Sequence, residues 1–281
     1  MKRKLIGGMT AAAAAVLMSA GATASAQEQP TDPTRLKVMT WNLDYQRENF
    51  DGWVDTIDKL KPAVAGLQEA CVTDLSGLNG VLWQLRQRGL HYYKAHGTWT
   101  YKYQCAQLSH KGQYGSAIIS LYPMTRVKHV PYKADDGEGR GFTVATIDVA
   151  RIGKIRVYVT HLGSGGNAQS ERVRAKEVAQ LMRFHKADAR KHKVQGTVIL
   201  GDFNTGPAGK ALKPIWRAGF RDVDPNCYKR SPGCKTTHTN EDNGKKSKLD
   251  YIFHKDLRIA DRHLSRTGHS DHDIWQMTIA G

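Results

Sequence analysis

The chain has 281 residues, of which 42 are lysine or arginine and 26 are aspartate or glutamate, so its formal net charge is +16. Its 40% hydrophobic and 24% charged content is that of a globular protein and excludes an intrinsically disordered chain. Such a length can bury a large core, as one α/β domain or two smaller ones. The positive charge favours a polyanionic partner: a nucleic acid, an anionic lipid surface or an acidic polymer.

The beginning of the chain has the pattern of a secretory signal peptide. Basic residues at 2–4 precede an apolar, alanine-rich run at 5–22, and Ala24-Ser25-Ala26 supplies the small residues of a cleavage site. The alternatives are a membrane anchor or a buried helix, but glycines and a threonine leave the run short of the ~20 apolar residues that a span requires. We therefore expect cleavage near Ala26 and secretion, then a polar lead-in at 27–35 and a single domain at 36–281.

All four cysteines follow the predicted signal segment, and an even number in an exported chain indicates disulfide bonds. Three pairings are possible. The short spacing favours Cys227 with Cys234, which leaves Cys71 with Cys105. The sequence has no CxxC spacing, so a zinc site is the weaker alternative.

Apolar periodicity predicts more strands than helices along the chain. The predicted elements, in chain order, are a strand at 36–41, a helix at 53–60, a strand at 63–68, a helix at 78–88, strands at 114–121, 142–149 and 155–161, a helix at 171–191, and strands at 197–200, 249–253 and 275–279. Polar loops are predicted at 91–113 and 235–248. Because many strands are apolar on both faces, the pattern predicts one layered α/β sandwich.

Polar side chains lie where these predicted strands begin or end. They are Asn42, Glu69, His161, Asp202, Asn204, Asp250, Asp271 and His272. Each one alone is typical of a solvated strand end, and the segment 201–204 also has the composition of a turn. As a set, their carboxylate and amide oxygens suit Mg²⁺, Mn²⁺ or Ca²⁺, and two histidines near a hard metal suit phosphodiester hydrolysis.

Six short motifs follow one another in this chain. They are TWN at 40–42, QE at 68–69, TH at 160–161, GDFN at 201–204, LDYI at 249–252 and SDH at 270–272. In this order they resemble the endonuclease/exonuclease/phosphatase superfamily, which includes deoxyribonuclease I, exonuclease III and neutral sphingomyelinases. The resemblance extends over residues 36–279 and implies a four-layered α/β sandwich, in which helices flank two central β-sheets.

The resemblance implies a divalent metal as cofactor, Mg²⁺ first, with Mn²⁺ or Ca²⁺ as alternatives. Glu69 is then the principal metal ligand, Asn42 lies beside it, and Asp271 adds a carboxylate on the metal side. Asp202 and Asn204 are expected to hold the metal, the attacking water and the phosphate.

The resemblance also implies catalytic roles. His272 is the expected general base, oriented by Asp250, and His161 contacts the scissile phosphate as an electrophile or general acid. Arg140 stands where deoxyribonuclease I has a phosphate-binding arginine. The glutamate that pairs with the first histidine in deoxyribonuclease I has no counterpart at 110–113, so the partner of His161 stays open.

The charge and the resemblance favour a secreted endonuclease of low sequence specificity that acts on DNA, with RNA as an alternative. The predicted loop at 99–111 alternates aromatic residues with lysines, a composition that can stack on bases or enter a groove, or that simply forms a surface loop. Five more cationic residues are candidates for further phosphate contacts, with solvated surface charges as the alternative: Arg151, Arg156, Lys245, Lys246 and Lys248. We expect a monomer.

Two other functions are compatible with the same motifs. A phospholipid phosphodiesterase similar to bacterial sphingomyelinase would share the catalytic set, but it needs an exposed aromatic hairpin that enters lipid, and no predicted turn carries an adjacent aromatic pair. A non-catalytic nucleic-acid-binding module would be free to lose Glu69, Asp202 or His272, yet all three are present. After the signal segment no apolar run is long enough to anchor the chain in a bilayer.

Overall fold

The computed structural model describes residues 32, 34–47, 49–72, 77–100, 105, 113–134, 137–228 and 233–281. The predicted signal peptide lies outside the described residues. Most of the lead-in and most of the predicted aromatic and lysine-rich loop at 99–111 also lie outside them. Within the described ranges, no helix is both long and apolar enough to cross a membrane.

The described residues form strands and helices that include every element predicted from the sequence. The strands are β1 (Arg35–Asn42), β2 (Val64–Val72), β3 (Tyr93–Thr100), β4 (Gln113–Ser120), β5 (Met124–Pro131), β6 (Gly141–Val149), β7 (Gly153–His161), β8 (Gly196–Asp202), β9 (Arg221–Asp222), β10 (His238–Thr239), β11 (Lys246–Ser247), β12 (Asp250–Lys255), β13 (Arg258–Ser265) and β14 (Ile274–Ala280). The α-helices are α1 (Phe50–Leu60), α2 (Leu78–Gln87), α3 (Ala168–Lys191) and α4 (Lys213–Arg217).

Most strands belong to two six-stranded sheets. The first sheet has the order β13-β14-β1-β2-β4-β3, and the second has the order β5-β6-β7-β8-β12-β9. The pairs β1/β2 and β7/β8 are parallel, and a helical crossover joins each pair, through α1 in the first sheet and α3 in the second. The other neighbours are antiparallel. The carboxyl ends of both parallel pairs are therefore available to build one site.

The two sheets pack face to face and helices cover their outer faces. The layer between the sheets is aliphatic and includes Val38, Val64, Ile118, Val157, Leu200, Ile252 and Met277. Trp53 and Ile57 of α1, with Leu85 of α2, cover the first sheet. Val178 of α3 and Ile215 of α4 cover the second. The prediction of a four-layered α/β sandwich is thus confirmed.

Local side-chain caps determine where the long helices begin. Asn49 accepts a hydrogen bond from the Gly52 amide (3.0 Å), so α1 begins three residues before the predicted start at 53. Asn167 accepts one from the Ser170 amide (2.9 Å) and begins α3 at Ala168 instead of 171. An asparagine before a helix was the available signal in both cases.

Four strands of the two six-stranded sheets were not predicted, and they are the four edge strands β3, β5, β9 and β13. The loop predicted at 91–113 is wrong over 93–100, where β3 pairs with β4. Strands β5 and β13 are mostly exposed and carry charged residues instead of alternating apolar ones. Edge strands of this kind are held by backbone pairing to one neighbour, and their charges oppose pairing with other chains. The predicted loop at 235–248 also contains the short hairpin β10-β11.

Both favoured disulfides are confirmed. Cys71 pairs with Cys105, with the Cα atoms 5.7 Å apart, and Cys227 pairs with Cys234 at 4.6 Å. The first bond fastens the chain near residue 105 to the end of β2, two residues after Glu69.

Two of the predicted phosphate contacts are wrong because their side chains are buried in ion pairs. The Arg156 guanidinium, only 2% exposed, donates two hydrogen bonds to Asp188 at 2.7 and 3.1 Å. Lys248 is also buried, and its Nζ lies 3.0 Å from Asp222 Oδ2. Arg151, Lys245 and Lys246 are exposed, so their phosphate contacts stay a prediction.

We expect Asp188→Ala to lower the free energy of unfolding by about 3–5 kcal/mol, because it leaves the buried Arg156 charge uncompensated. Burial disfavours the Asp188 carboxylate, but Arg156 and the Tyr158 hydroxyl outweigh burial and lower its pKa. Urea unfolding measures the change. The control is Asp148→Ala, which removes a pair with Lys154 that is more than half exposed on both sides and should cost less than about 1 kcal/mol. Equal losses in the two variants would contradict the prediction.

Candidate active site

The predicted site residues meet at one edge of the two sheets. In the second sheet, His161 ends β7 opposite Asp202 at the end of β8, and Asp202 is opposite Asp250 at the start of β12. In the first sheet, Asn42 ends β1, and Glu69 lies in β2 on the neighbouring strand. Because the sheets pack face to face, these two rows face each other.

His272 and Asp250 are in direct contact at this edge. His272 Nδ1 lies 2.8 Å from Asp250 Oδ2, which places the proton of a neutral ring on Nδ1 and leaves Nε2 as the basic nitrogen. His272 Nε2 lies 3.7 Å from Asp202 Oδ2 and 3.8 Å from Asp271 Oδ1. The backbone of His272 is fixed by Ser270, whose Oγ accepts from the His272 amide (3.0 Å) and donates to the Asn42 carbonyl oxygen (2.8 Å).

Burial disfavours the charged imidazole of His272. The negative charges of Asp250, Asp202 and Asp271 outweigh burial, however, and raise the pKa of His272 to about 10. Without a further positive charge at the site, His272 therefore keeps a second proton at neutral pH.

His161 has a basic partner in place of the glutamate found in deoxyribonuclease I. Arg140 Nη1 lies 2.7 Å from His161 Nδ1, and because arginine only donates, His161 accepts at Nδ1 and carries its proton on Nε2. The Nε2 proton then faces Asp202 Oδ2 at 3.5 Å. Asn204 Nδ2 lies 3.1 Å from Nε2, but it is a donor that bonds to the Leu162 carbonyl oxygen (3.0 Å) and does not accept the Nε2 proton. Burial first, and then the charges of Arg140 and His272, hold the pKa of His161 well below its usual value.

Arg140 is more buried than a freely solvated phosphate-binding arginine. It is 4% exposed, and its Nη2 donates to the Glu138 carboxylate while Nη1 donates to His161. The open question of the His161 partner is thereby answered. A contact from Arg140 to substrate phosphate stays a prediction.

Two carboxylates at this edge, those of Glu69 and Asp202, contact Asn42. The Asn42 Nδ2 lies 3.1 Å from Glu69 Oε1 and 3.2 Å from Asp202 Oδ2, and its Oδ1 accepts from the Asp44 amide at 3.1 Å. Asn42 therefore presents its NH₂ group to the carboxylates, and ligation of a metal through Oδ1 would require the amide to turn over. Burial first, with added repulsion from Asp202, raises the pKa of Glu69 to about 7.

The backbone at this edge is strained. Glu69 has φ 55° at an irregularity in the pairing of β2 with β4, and Asn204 has φ 49° just after β8. Gly201 has φ 157°, and a Cβ there would lie 2.1 Å from the Thr160 carbonyl oxygen, so only glycine lets β8 approach β7 this closely. Strain of this kind persists where the surrounding structure holds a residue in place, and it is frequent at active sites.

The donor set fits a hard divalent cation. Four carboxylates, those of Glu69, Asp202, Asp250 and Asp271, lie at one edge of the sheets, and Asp250 Oδ1 has no hydrogen-bond partner among the described residues. Asp202, Asp250 and His272 place ligand atoms within 4.8 Å of one another. A divalent cation would offset this negative charge, and oxygen donors select Mg²⁺, Mn²⁺ or Ca²⁺. It would also favour loss of the second His272 proton, so metal binding and proton release are coupled.

His238 also lies at this edge, and it was not predicted there. Its Nε2 lies 3.2 Å from Asp271 Oδ2, and its ring lies over that of His272 with the centroids 4.6 Å apart. His238, Asp271 and His272 form a second group able to hold a metal ion. The histidine belongs to a polar segment assigned to a loop, and no apolar pattern marks it. Only the backbone bridge between His238 and His272 brings the two together.

The chain belongs to the endonuclease/exonuclease/phosphatase family, whose sequence model matches residues 39–272. The sandwich of two β-sheets with flanking helices is the phosphodiesterase and nuclease type of fold of this family. No curated protein matches the chain.

Solved structures share this fold at low sequence identity. The endonuclease/exonuclease/phosphatase from Beutenbergia cavernae DSM 12333 is 20% identical with a TM-score of 0.67, over 88% of this chain and 72% of that one. The human Nocturnin catalytic domain with bound sulfate is 18% identical with a TM-score of 0.71, over 88% and 94%. D. rerio TDP2, complexed with single-strand DNA product, is 16% identical with a TM-score of 0.64, over 88% and 99%.

Proposed function

We propose that this chain is a divalent-metal-dependent phosphodiesterase, and specifically a secreted endonuclease of low sequence specificity that hydrolyses DNA, with RNA as a second substrate. The observation that carries the proposal is the His272–Asp250 pair at 2.8 Å, whose free Nε2 is directed at the carboxylates beside Glu69. This is the arrangement of a general base positioned to deprotonate water next to a metal-bound phosphate.

The side chains at this edge then divide the tasks of the reaction, and Asp202 serves in two of them. Glu69, Asp202 and Asp271 hold the metal, Mg²⁺ in the first place, which when bound offsets negative charge on the phosphoryl oxygens. His272 Nε2 takes a proton from the attacking water while Asp250 keeps the ring in place through Nδ1. Asp202 and Asn204 position the water and the phosphate.

The Arg140 contact narrows the role of His161. A neutral His161 that accepts at Nδ1 keeps its proton on Nε2, on the side of Asp202 and Asn204. His161 therefore acts as an electrophile that donates a hydrogen bond to a phosphate oxygen, because burial and the adjacent Arg140 charge both oppose an imidazolium able to act as a general acid. Arg140 adds positive charge on the phosphate side.

The charge of the chain supports a nucleic acid as substrate. Cleavage near Ala26 would remove Lys2, Arg3 and Lys4, which leaves 39 basic and 26 acidic residues and a formal net charge of +13. This charge favours binding to phosphate backbones through counterion release, which does not read bases. The complex of D. rerio TDP2 with a DNA product shows that a protein of this fold accommodates such a strand.

The two disulfides are compatible with an oxidising destination, which supports secretion after cleavage near Ala26. We propose one catalytic domain at 36–281 that acts as a monomer without a membrane anchor.

The test is digestion of supercoiled plasmid by the purified secreted protein with Mg²⁺ or Mn²⁺, and with EDTA as the metal-free control. We expect nicking and then degradation with metal, and intact plasmid with EDTA. An intact plasmid under every metal would overturn the nuclease. Hydrolysis of sphingomyelin would then assign a phospholipid phosphodiesterase, and plasmid binding without any hydrolysis would assign a binding module.

A further inference from the structure

A cavity of about 500 Å³ opens beside the loop that follows β8, and we name it the α4 cavity. Its floor is the segment 207–209, and its walls carry three cationic and two aromatic side chains. They are Lys210, Lys213, Arg217, Trp216 and Tyr228. No acidic residue lines it.

The sequence of α4 directs positive charge into this cavity. Ile215 and Trp216 of α4 are buried, which leaves Lys213 and Arg217 exposed four residues apart on one side of the helix. Like charges at this spacing repel each other and destabilise a helix. A bound anion between them would remove that repulsion, and the exposed Lys210 adds a third charge.

The aromatic wall is rigid and presents one exposed ring. Trp216 Nε1 donates to the Pro207 carbonyl oxygen (3.3 Å), and the Trp216 ring packs against Phe253 in the core. The Tyr228 ring meets Trp216 edge to face at 5.5 Å, and Tyr228 is 50% exposed. Tyr228 follows Cys227 of the second disulfide, which fixes its backbone. An exposed, fixed aromatic ring beside cationic side chains is a stacking platform for an unpaired base.

The cavity is tied to the active site through Glu171. Pro207 comes three residues after Asn204, and three residues span at most about 11 Å. Glu171 Oε1 accepts from the Ala211 amide (3.1 Å), and Oε2 accepts from the Thr205 hydroxyl (3.3 Å). The turn that carries Lys210 is thereby fixed to the loop that carries Asn204, so the cavity lies within a few nucleotides of the proposed scissile phosphate.

We propose that the α4 cavity binds a single-stranded segment of nucleic acid next to the cleavage position. Lys210, Lys213 and Arg217 contact successive phosphates, and Tyr228 stacks on an unpaired base. This inference rests on the proposed function, since it names where the flank of the substrate strand lies. Net positive charge alone would let a phosphate backbone bind anywhere on the surface. Cationic side chains and an exposed aromatic ring in one cavity instead favour an unpaired strand at that position.

The experiment measures binding without catalysis. A fluorescein-labelled 12-nucleotide DNA strand is titrated in EDTA, at several salt concentrations, with wild type and with Lys213→Glu/Arg217→Glu. We expect the Kd of Lys213→Glu/Arg217→Glu to be at least tenfold higher than that of the wild type at about 100 mM salt. The slope of log affinity against log salt concentration should be smaller in magnitude by about 1.4, because two phosphate contacts are lost. The matched control is Lys186→Glu/Arg190→Glu, which makes the same charge change at the same spacing on the exposed side of α3. It should change Kd less than threefold, and thermal unfolding confirms that both variants are folded.

Tyr228→Ala tests the stacking contact by itself. We expect it to weaken binding of the single strand about tenfold and to leave binding of the matching duplex unchanged, while Tyr93→Ala, an exposed tyrosine of β3, changes neither. Equal losses for the two charge-reversal variants, or an unaffected Tyr228→Ala, would overturn the proposal. The proposal would also be overturned if Lys213→Glu/Arg217→Glu lost binding to phosphatidylserine vesicles but bound the oligonucleotide as the wild type does. The cavity would then take a lipid headgroup. A wild type that binds the strand but never cuts plasmid would refute the nuclease and leave the cavity supported.

Discussion

Replacement of His272 by alanine is expected to lower kcat on nucleic acid by about 10²- to 10⁴-fold, the range that a general base contributes. Asp250 holds Nδ1 at 2.8 Å, so only Nε2 is free to take the proton of the attacking water. Proton removal is required in the transition state and not for substrate binding. We therefore expect kcat and kcat/KM to fall together with little change in KM. Steady-state kinetics on a labelled oligonucleotide measures both constants.

A matched histidine controls for the loss of an imidazole elsewhere. His263 is exposed on β13, so His263→Ala should retain wild-type kinetics. Because His272 is buried, thermal unfolding of His272→Ala must show that the domain is intact before its kinetics are interpreted. A folded His272→Ala protein with wild-type kcat would exclude His272 as the base and, with it, the proposed route of proton transfer.

The interior of the fold was predictable and its edges were not. Strands such as β1, β7 and β8 are buried on both faces, so a continuous apolar run marks each one in the sequence. Strands β3, β5 and β13 lie at sheet edges, where pairing with one neighbour suffices and solvent accepts charged side chains. The sequences of these edge strands therefore lack the apolar pattern by which a strand is predicted. The helix starts at Asn49 and Asn167 were legible as caps, although periodicity alone placed them three residues late.

The meeting of the polar strand-end residues at one edge was predictable, but the contacts among them were only partly so. Asp250 was expected beside His272, and the structure places them together. The pairing of Arg140 with His161 was not expected, because Arg140 precedes β6 and meets His161 only through the register of β6 with β7. His238 was missed for the same reason. Partners that depend on strand register leave no signal at any fixed spacing in the sequence.

The arginine beside His161 changes the expected balance between the two histidines. Carboxylates surround His272 and raise its pKa, whereas Arg140 and burial lower that of His161. Two imidazoles at one site are therefore held in opposite protonation states, which is how a single site provides both a group that exchanges a proton and a group that donates a hydrogen bond. In the proposed mechanism, His272 becomes a base only when positive charge is added among the carboxylates.

Glu69→Gln is expected to weaken the binding of Mn²⁺ strongly. Loss of a residue that only supports a metal ligand lowers metal affinity about 10- to 100-fold, and loss of a direct ligand should lower it further. The substitution keeps the size of the side chain and removes its charge. Burial, together with the nearby Asp202, raises the pKa of Glu69 to about 7, so a proton competes with the metal below that pH. The wild-type affinity should therefore fall by up to about tenfold per unit as pH drops from 7 to 6.

Isothermal titration with Mn²⁺ at pH 6, 7 and 8 separates the loss of a ligand from general destabilisation. In the wild type, a proton released on binding makes the heat depend on the ionisation enthalpy of the buffer, and Glu69→Gln should release fewer protons at pH 6. Glu241→Gln is the control, because this carboxylate is 67% exposed and pairs with Arg47. If Glu69→Gln binds Mn²⁺ with wild-type affinity and the same pH dependence, Glu69 is not a ligand. The metal would then lie in one of the two clusters that hold three ligand atoms close together, Asp202 with Asp250 and His272 or His238 with Asp271 and His272, and both include the proposed base.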